Sequence, residues 1–161
     1  MAALYREELK DFIGPWMRHR QHKFSPEQWE KMTGSLPSSS LVYLGNLSIY
    51  TTEAQIYALF NQIGPIKQII MGLNRNTKTP CGFCFVDYFS HQHACDAVFF
   101  LSGIQLDERV IKVELDYGFE EGRQYGRGLE GGQRRDDFRS QFDFDRDPLN
   151  VALQDKQNIE A

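Results

Sequence analysis

Phe83 and Phe85 carry the chemistry most legible from spacing. They lie two apart in Pro80-Cys81-Gly82-Phe83-Cys84-Phe85-Val86-Asp87-Tyr88. Its aromatic and β-branched content reads as a strand, with the turn-like Asn74-Arg75-Asn76-Thr77 upstream. Side chains alternate along a strand, so the two rings share one face while Cys84, Val86 and Tyr88 share the other, a candidate core face. Gly82 leaves room beside the rings. Leu41-Val42-Tyr43-Leu44-Gly45-Asn46-Leu47 reads as a second short strand, with Tyr43 opposite Val42 and Leu44. Three flat rings on one open sheet face form a platform on which nucleobases stack.

Charged residues flank that platform. Over residues 109–116 the chain reads as a further strand, with Ile111, Val113 and Leu115 inward and Lys112, Glu114 and Asp116 outward. Carboxylates repel phosphate but accept charge-assisted hydrogen bonds from ring and exocyclic N–H groups. The surface therefore suits a base that is itself cationic, such as guanine methylated on its imidazole ring. Stacking such a base adds a cation–π contribution of about 0.5–2 kcal/mol. The plainer reading of Glu114 and Asp116 is a solvated strand edge. Beyond residue 117, arginines are spaced by glycines and a tyrosine, and Arg123, Arg127 and Arg135 are candidates for forked donation to a triphosphate. The segment reads either as a loose Gly/Arg tail or as one that folds on binding.

The elements positioning these residues follow from pattern. Thr52-Glu53-Ala54-Gln55 is a capping box opening a helix, whose apolar face is Ile56, Leu59, Phe60 and Ile63, and Gly64-Pro65 ends it. Residues 66–73 form a strand in which Ile69-Ile70-Met71 leaves the facing open. Ser90 caps a second helix running to Gly103, with Ala94, Ala97, Val98 and Leu101 toward the sheet. Phe99 and Phe100 then read either as one buried and one exposed ring or as a partner surface. The order is β-α-β-β-α-β, so the fold class is α+β, a ferredoxin-like split arrangement with both helices on one face. We expect an N-terminal extension over 1–40, the β-α-β-β-α-β domain over 41–117, the Gly/Arg segment over 118–140 and a flexible tail over 141–161. Within the extension, residues 5–17 are weakly amphipathic, 18–23 are basic, a short helix starts at Ser25 or Pro26 and runs to Met32, and 34–40 read as a linker.

Composition narrows the function. The net charge of −4 over 161 residues divides as +1 over 1–40, −2 over 41–117 and −3 over 118–161. Such a balance does not hold long RNA by its phosphates. The three cysteines, an odd number, fit reduced thiols in an intracellular protein. The N-terminus lacks a basic-then-apolar signal pattern, and no apolar run approaches the ~18 residues of a membrane span. Cys81 and Cys84 have the Cys-x-x-Cys spacing of a redox site, yet they lie on a strand that sends the sulfurs to opposite faces. His91, His93 and Cys95 spread around a helix rather than converging on a metal. No nucleophile–base pair stands out, so we expect no enzyme, cofactor or metal.

Residues 81–88 match the first ribonucleoprotein pattern, Lys/Arg-Gly-Phe/Tyr-Gly/Ala-Phe-Val-x-Phe/Tyr, except that Cys81 replaces the basic residue and Cys84 the small one. With the second motif around Tyr43, this indicates an RNA-recognition motif. Together with Tyr50-Thr51-Thr52-Glu53, Ile69-Ile70-Met71-Gly72-Leu73 and Glu121-Gly122-Arg123-Gln124-Tyr125-Gly126-Arg127-Gly128, these residues closely resemble the small subunits of nuclear cap-binding complexes. The resemblance covers roughly residues 41–140. It implies binding of the 5′ 7-methylguanosine cap of RNA polymerase II transcripts, a large helical-repeat partner subunit, a nuclear location with shuttling to the cytoplasm, and a part in mRNA processing and export. It also implies a cap-binding set. Tyr43 matches one of the family's two stacking tyrosines, and alignment on Phe24 puts His19 at the other, with Trp16 a rival. Phe83, Phe85, Asp116, Arg123, Gln124, Tyr125, Arg127, Gln133 and Arg135 belong to this set. Lys112 stands where the family has Arg, Glu114 where it has Asp, Leu115 where it has Trp, and Arg134 where it has Val. A general single-strand RNA binder and a protein-interaction module are the alternatives.

Overall fold

The structure is a computed structural model that describes residues 21–138. His19, Trp16, the amphipathic stretch 5–17 and the tail 141–161 lie outside the described residues.

A four-stranded antiparallel sheet forms the centre. Its strands are β1 (Leu41–Gly45), β2 (Ile66–Leu73), β3 (Pro80–Tyr88) and, last in chain order, β6 (Lys112–Leu115), arranged β2-β3-β1-β6. Helices α2 (Glu53–Phe60) and α3 (His91–Leu101) pack below it, preceded by α1 (Pro26–Ser35). This is the expected ferredoxin-like arrangement. Both predicted caps are present. Thr52 Oγ1 accepts the Gln55 amide at 3.3 Å while Gln55 Oε1 accepts the Thr52 amide at 2.8 Å, and Ser90 Oγ accepts the His93 amide at 3.2 Å. Each such cap stabilises its helix by about 1 kcal/mol.

The alternation read for β3 holds. Cys84, Val86 and Tyr88 are buried in the lower core with Val42, Leu44, Ile56, Phe60, Ala94 and Ala97, and the Tyr88 hydroxyl donates to the Phe60 carbonyl at 2.8 Å. Phe83 and Phe85 lie in a separate upper cluster with Leu41, Cys81, Tyr43, Ile70 and Phe119. Cys81 and Cys84 are thus on opposite faces, as expected. Burial pushes the Cys84 thiol far above the ordinary range, so it is an inert packing group.

The open facing of Ile69-Ile70-Met71 is decided by a register shift. β2 slips against β3 between Ile66 and Gln68. Ile66, Ile69 and Met71 therefore all pack on the lower core, while Ile70 joins the upper rings. The bulge resets the two-residue parity.

Two expectations are corrected, and one of two open readings is excluded. The strand expected over 109–116 is broken at Ile111. β4 (Gln105–Leu106) and β5 (Arg109–Val110) form a separate hairpin, turned by Asp107 and Glu108 at φ 48° and 64°. The Asp107 carboxylate accepts from Thr51 Oγ1 at 2.7 Å and Gln55 Nε2 at 3.1 Å, which ties the hairpin to α2. Second, the stretch 34–40 is not a linker. Leu36 is fully buried in the lower core, Ser35 Oγ donates to the Tyr117 carbonyl at 3.0 Å and Ser39 Oγ donates to the Asp116 carbonyl. Serine hydroxyls bond backbone as readily in an ordered connector as in a loose one. Consistently, α1 runs three residues beyond Met32, to Ser35, with Trp29 and Met32 against the core. Of the two readings of Phe99 and Phe100, that of one buried and one exposed ring is excluded, since neither is buried. They are 81% and 61% exposed and meet edge to face at 5.0 Å.

Candidate nucleic-acid interface

The upper sheet face is roofed. Phe83 is 7% exposed and Phe85 only 2%. Tyr43 lies beside both, at 6.0 Å and 30° from Phe83 and at 5.7 Å and 63° from Phe85. Phe119 meets Phe85 at 5.6 Å and 68°. The expected open platform is therefore closed over much of its area by residues 118–138.

The sequence makes that roof possible. β2 is an edge strand, and its free edge is capped by the Gly/Arg segment: the Leu73 amide donates to the Gln124 carbonyl at 2.7 Å and the Gly126 amide to the Leu73 carbonyl at 2.8 Å. The chain then doubles back, with the Gly128 amide donating to Gly132 at 2.7 Å and the Gly131 amide to Gly128 at 3.0 Å. The two runs are so close that a Cβ at Gly126 would overlap the carbonyls of Gly131 and Gly132. Buried Gln133 then anchors the return run to the sheet, its Nε2 donating to the Cys81 carbonyl at 2.9 Å.

Between sheet and roof is a cavity of about 180 Å³, lined by Tyr43, Phe83 and Phe85, by Glu114 and Asp116 of the β6 end, and by roof residues that include Tyr125, Arg127, Gln133, Arg134 and Arg135.

Its carboxylates differ. Asp116, 5% exposed, is locked in a fork with Arg123: Nη1 to Oδ1 at 2.7 Å and Nη2 to Oδ2 at 2.8 Å. Oδ1 also accepts the Gly118 amide at 3.0 Å. Of the roughly four acceptor directions of a carboxylate, three are filled. Glu114 has no hydrogen-bond donor among the described residues. Burial pushes its carboxyl above the ordinary range, opposed by the charges of Lys112 and Arg135 and reinforced by Asp116.

The cations divide likewise. Arg123 is spent on the roof rather than free for a triphosphate. Its guanidinium lies 4.4 Å from the Tyr117 ring centre and 5.0 Å from that of Phe85, and also donates to the Gly118 carbonyl. Burial disfavours its charge, but the hydrogen bonds and charge of Asp116 prevail, and its pKa is raised. By contrast, the side chains of Arg127, Arg134 and Arg135 make no hydrogen bond among the described residues and line the cavity.

Three expected residues stand apart. Lys112 is exposed and lies outside the lining, and its charge acts on Glu114. Gln124 is turned into its own loop, accepting the Gly122 amide and donating to Glu121, each at 2.7 Å. Leu115 borders the cavity, yet its side chain belongs to the lower core, because alternation sends it opposite Glu114 and Asp116. Sequence reasoning missed Tyr117, which stacks on Arg123, and Arg75, which holds the roof. By alternation Tyr117, next to the outward Asp116, reads as inward, and it does pack partly on the lower core, so its contact with Arg123 has no local signal. Arg75 offered none beyond its place in a turn.

A split β-α-β-β-α-β sheet with aromatics at the two ribonucleoprotein positions defines an RNA recognition motif, and the family model of that description matches residues 42–112. The chain is 60% identical over 109 residues to nuclear cap-binding protein subunit 2 of Schizosaccharomyces pombe, covering 68% of this chain and 60% of that one. It is 50% identical to the Dictyostelium discoideum protein of that name, covering 84% and 57%, and 45% identical to the Bombyx mori one, covering 88% and 90%. The chain belongs to the nuclear cap-binding protein subunit 2 family. It spans about three fifths of the length of the first two relatives and nine tenths of the third.

Proposed function

We propose that the chain binds the 5′ 7-methylguanosine cap of RNA polymerase II transcripts as the small subunit of a nuclear cap-binding complex. The observation carrying this reading is the polarity of the roofed cavity. Aromatic rings form its floor, a carboxylate that accepts no hydrogen bond among the described residues stands on one wall, and three arginines that make no hydrogen bond among those residues line it. A methylated guanine is a flat cation with donors on one edge and a phosphate chain on its sugar. It meets Tyr43 with its π-face, Glu114 and the remaining acceptor direction of Asp116 with its N–H edge, and Arg127, Arg134 and Arg135 with its phosphates. Gln133 and Tyr125 fix the roof over it. The second stacking face is assigned to the N-terminal extension, with His19 and Trp16 as the candidates.

The role is recognition, without catalysis. A large helical-repeat subunit is the proposed partner, and the exposed Phe99–Phe100 pair supports a docking face on α3. Nuclear location, shuttling to the cytoplasm, and roles in mRNA processing and export follow from that assignment. General single-strand binding on an open platform is disfavoured by the burial of Phe83 and Phe85.

The test is a titration of a capped dinucleotide against its unmethylated counterpart, with the chain alone and with the partner subunit. Strong methyl dependence is expected. Equal affinity for both points instead to a general RNA binder, and no binding in either state to a protein-interaction module.

A further inference from the structure

The roof is gripped from the side by the turn between β2 and β3. Asn74 Oδ1 accepts the amides of Asn76 at 2.9 Å and Thr77 at 3.1 Å, which fixes the turn's shape. Asn74 and Asn76 each donate from Nδ2 to the Glu130 carbonyl at 3.3 Å. Arg75 stands at the centre of this contact and holds both runs of the roof. Its amide donates to the Gly131 carbonyl of the return run at 2.8 Å. Its guanidinium donates from Nη1 to the Gly126 carbonyl at 3.4 Å and from Nη2 to the Gly128 carbonyl at 3.3 Å, on the outgoing run.

Those two carbonyls bracket Arg127. We propose that Arg75 is a positioning residue for the phosphate end of the cavity: by spanning Gly126 and Gly128 it fixes the peptide from which Arg127 reaches a bound anion. Arg75 does not itself line the cavity. It acts through Arg127. A rigid planar fork holds the two carbonyls at a fixed spacing, which the ammonium of Lys, with three donors on a flexible stem, does not. Arg75 is exposed and its two side-chain bonds are long, so the effect belongs to selectivity among phosphate chains and not to the stability of the fold. The inference rests on reading the cavity as a site for a base carrying phosphates.

The experiment uses the full chain as wild type, Arg75→Ala and Arg75→Lys. The probes are 7-methylguanosine triphosphate, its monophosphate, and unmethylated guanosine triphosphate. Both variants are expected to weaken the triphosphate about tenfold, or ~1.4 kcal/mol, and the monophosphate by less than about twofold. In an Arg127→Ala background, Arg75→Ala adds no further loss, because the two residues act as one unit. In the chain alone, amide exchange at Gly126 and Gly128 rises in Arg75→Ala. Equal losses for both methylated probes, additive losses with Arg127→Ala, or unchanged exchange at the two glycines each overturn the inference. A wild type that does not distinguish methylated from unmethylated triphosphate overturns the cap reading instead. Arg75 is then still judged by the unmethylated probe and by exchange.

Discussion

Asp116→Asn tests the Asp116–Arg123 fork most directly. Both charge-assisted bonds, at 2.7 and 2.8 Å, join side chains only 7% and 11% exposed. The substitution turns one accepting oxygen into a donor facing a donor and leaves the guanidinium without its counter-charge. Breaking a buried pair from one side costs about 3–5 kcal/mol. Arg123 also rests on the Tyr117 and Phe85 rings, and each such contact holds about 0.5–2 kcal/mol, so it keeps part of its anchorage. We expect a loss near the lower limit, about 3 kcal/mol. Arg123→Gln should cost about as much, because it strands the carboxylate, and the double variant little more than either. Urea unfolding of the four chains then gives a coupling of about 2–3 kcal/mol. The coupling should barely change with salt, because so little of the pair meets solvent. A coupling below about 0.5 kcal/mol, the range of exposed pairs, refutes the reasoning. So does one that vanishes in high salt.

Two further outcomes follow. Burial raises the Glu114 pKa above the ordinary 4.5 of a glutamate. The folded protein therefore holds this proton more tightly than the unfolded chain, and the group's penalty on folding, present at neutral pH, is relieved as pH falls through the raised pKa. Ligand binding runs the other way, because a protonated Glu114 no longer offers a charged acceptor. Affinity for the methylated cap should drop as pH falls from neutral toward that pKa, and Glu114→Gln should remove this arm of the pH profile. Gly126→Ala places a methyl group against two carbonyls of the return run, so the roof should lift. Limited proteolysis should then cut within residues 120–132 far faster than in wild type, with urea unfolding of the sheet core nearly unchanged.

The β-α-β-β-α-β order, both helix caps and the division of β3 into a ring face and a core face were legible because each is a local rule. Parity places Phe83 and Phe85 together whatever surrounds them, and Thr52 with Gln55 caps a helix from within four residues. What failed was what depends on distant partners. A slip of register next to Ile66 decides where Ile70 points, and no composition of β2 encodes it. Leu36 and the serines around it read as a linker until the end of β6 offers them carbonyls.

The sequence by itself determined which chemistries are available: aromatic faces, carboxylates beside them, and arginines on a glycine-rich run. Only the tertiary structure decided which of them are free to act. Folding the run back over the sheet commits Arg123 to Asp116, turns Gln124 aside and leaves Glu114, Arg127, Arg134 and Arg135 facing the cavity. The physical reason is that a charge's role depends on which opposite charge reaches it first, and that is set by the path of the chain through space, not by residue type.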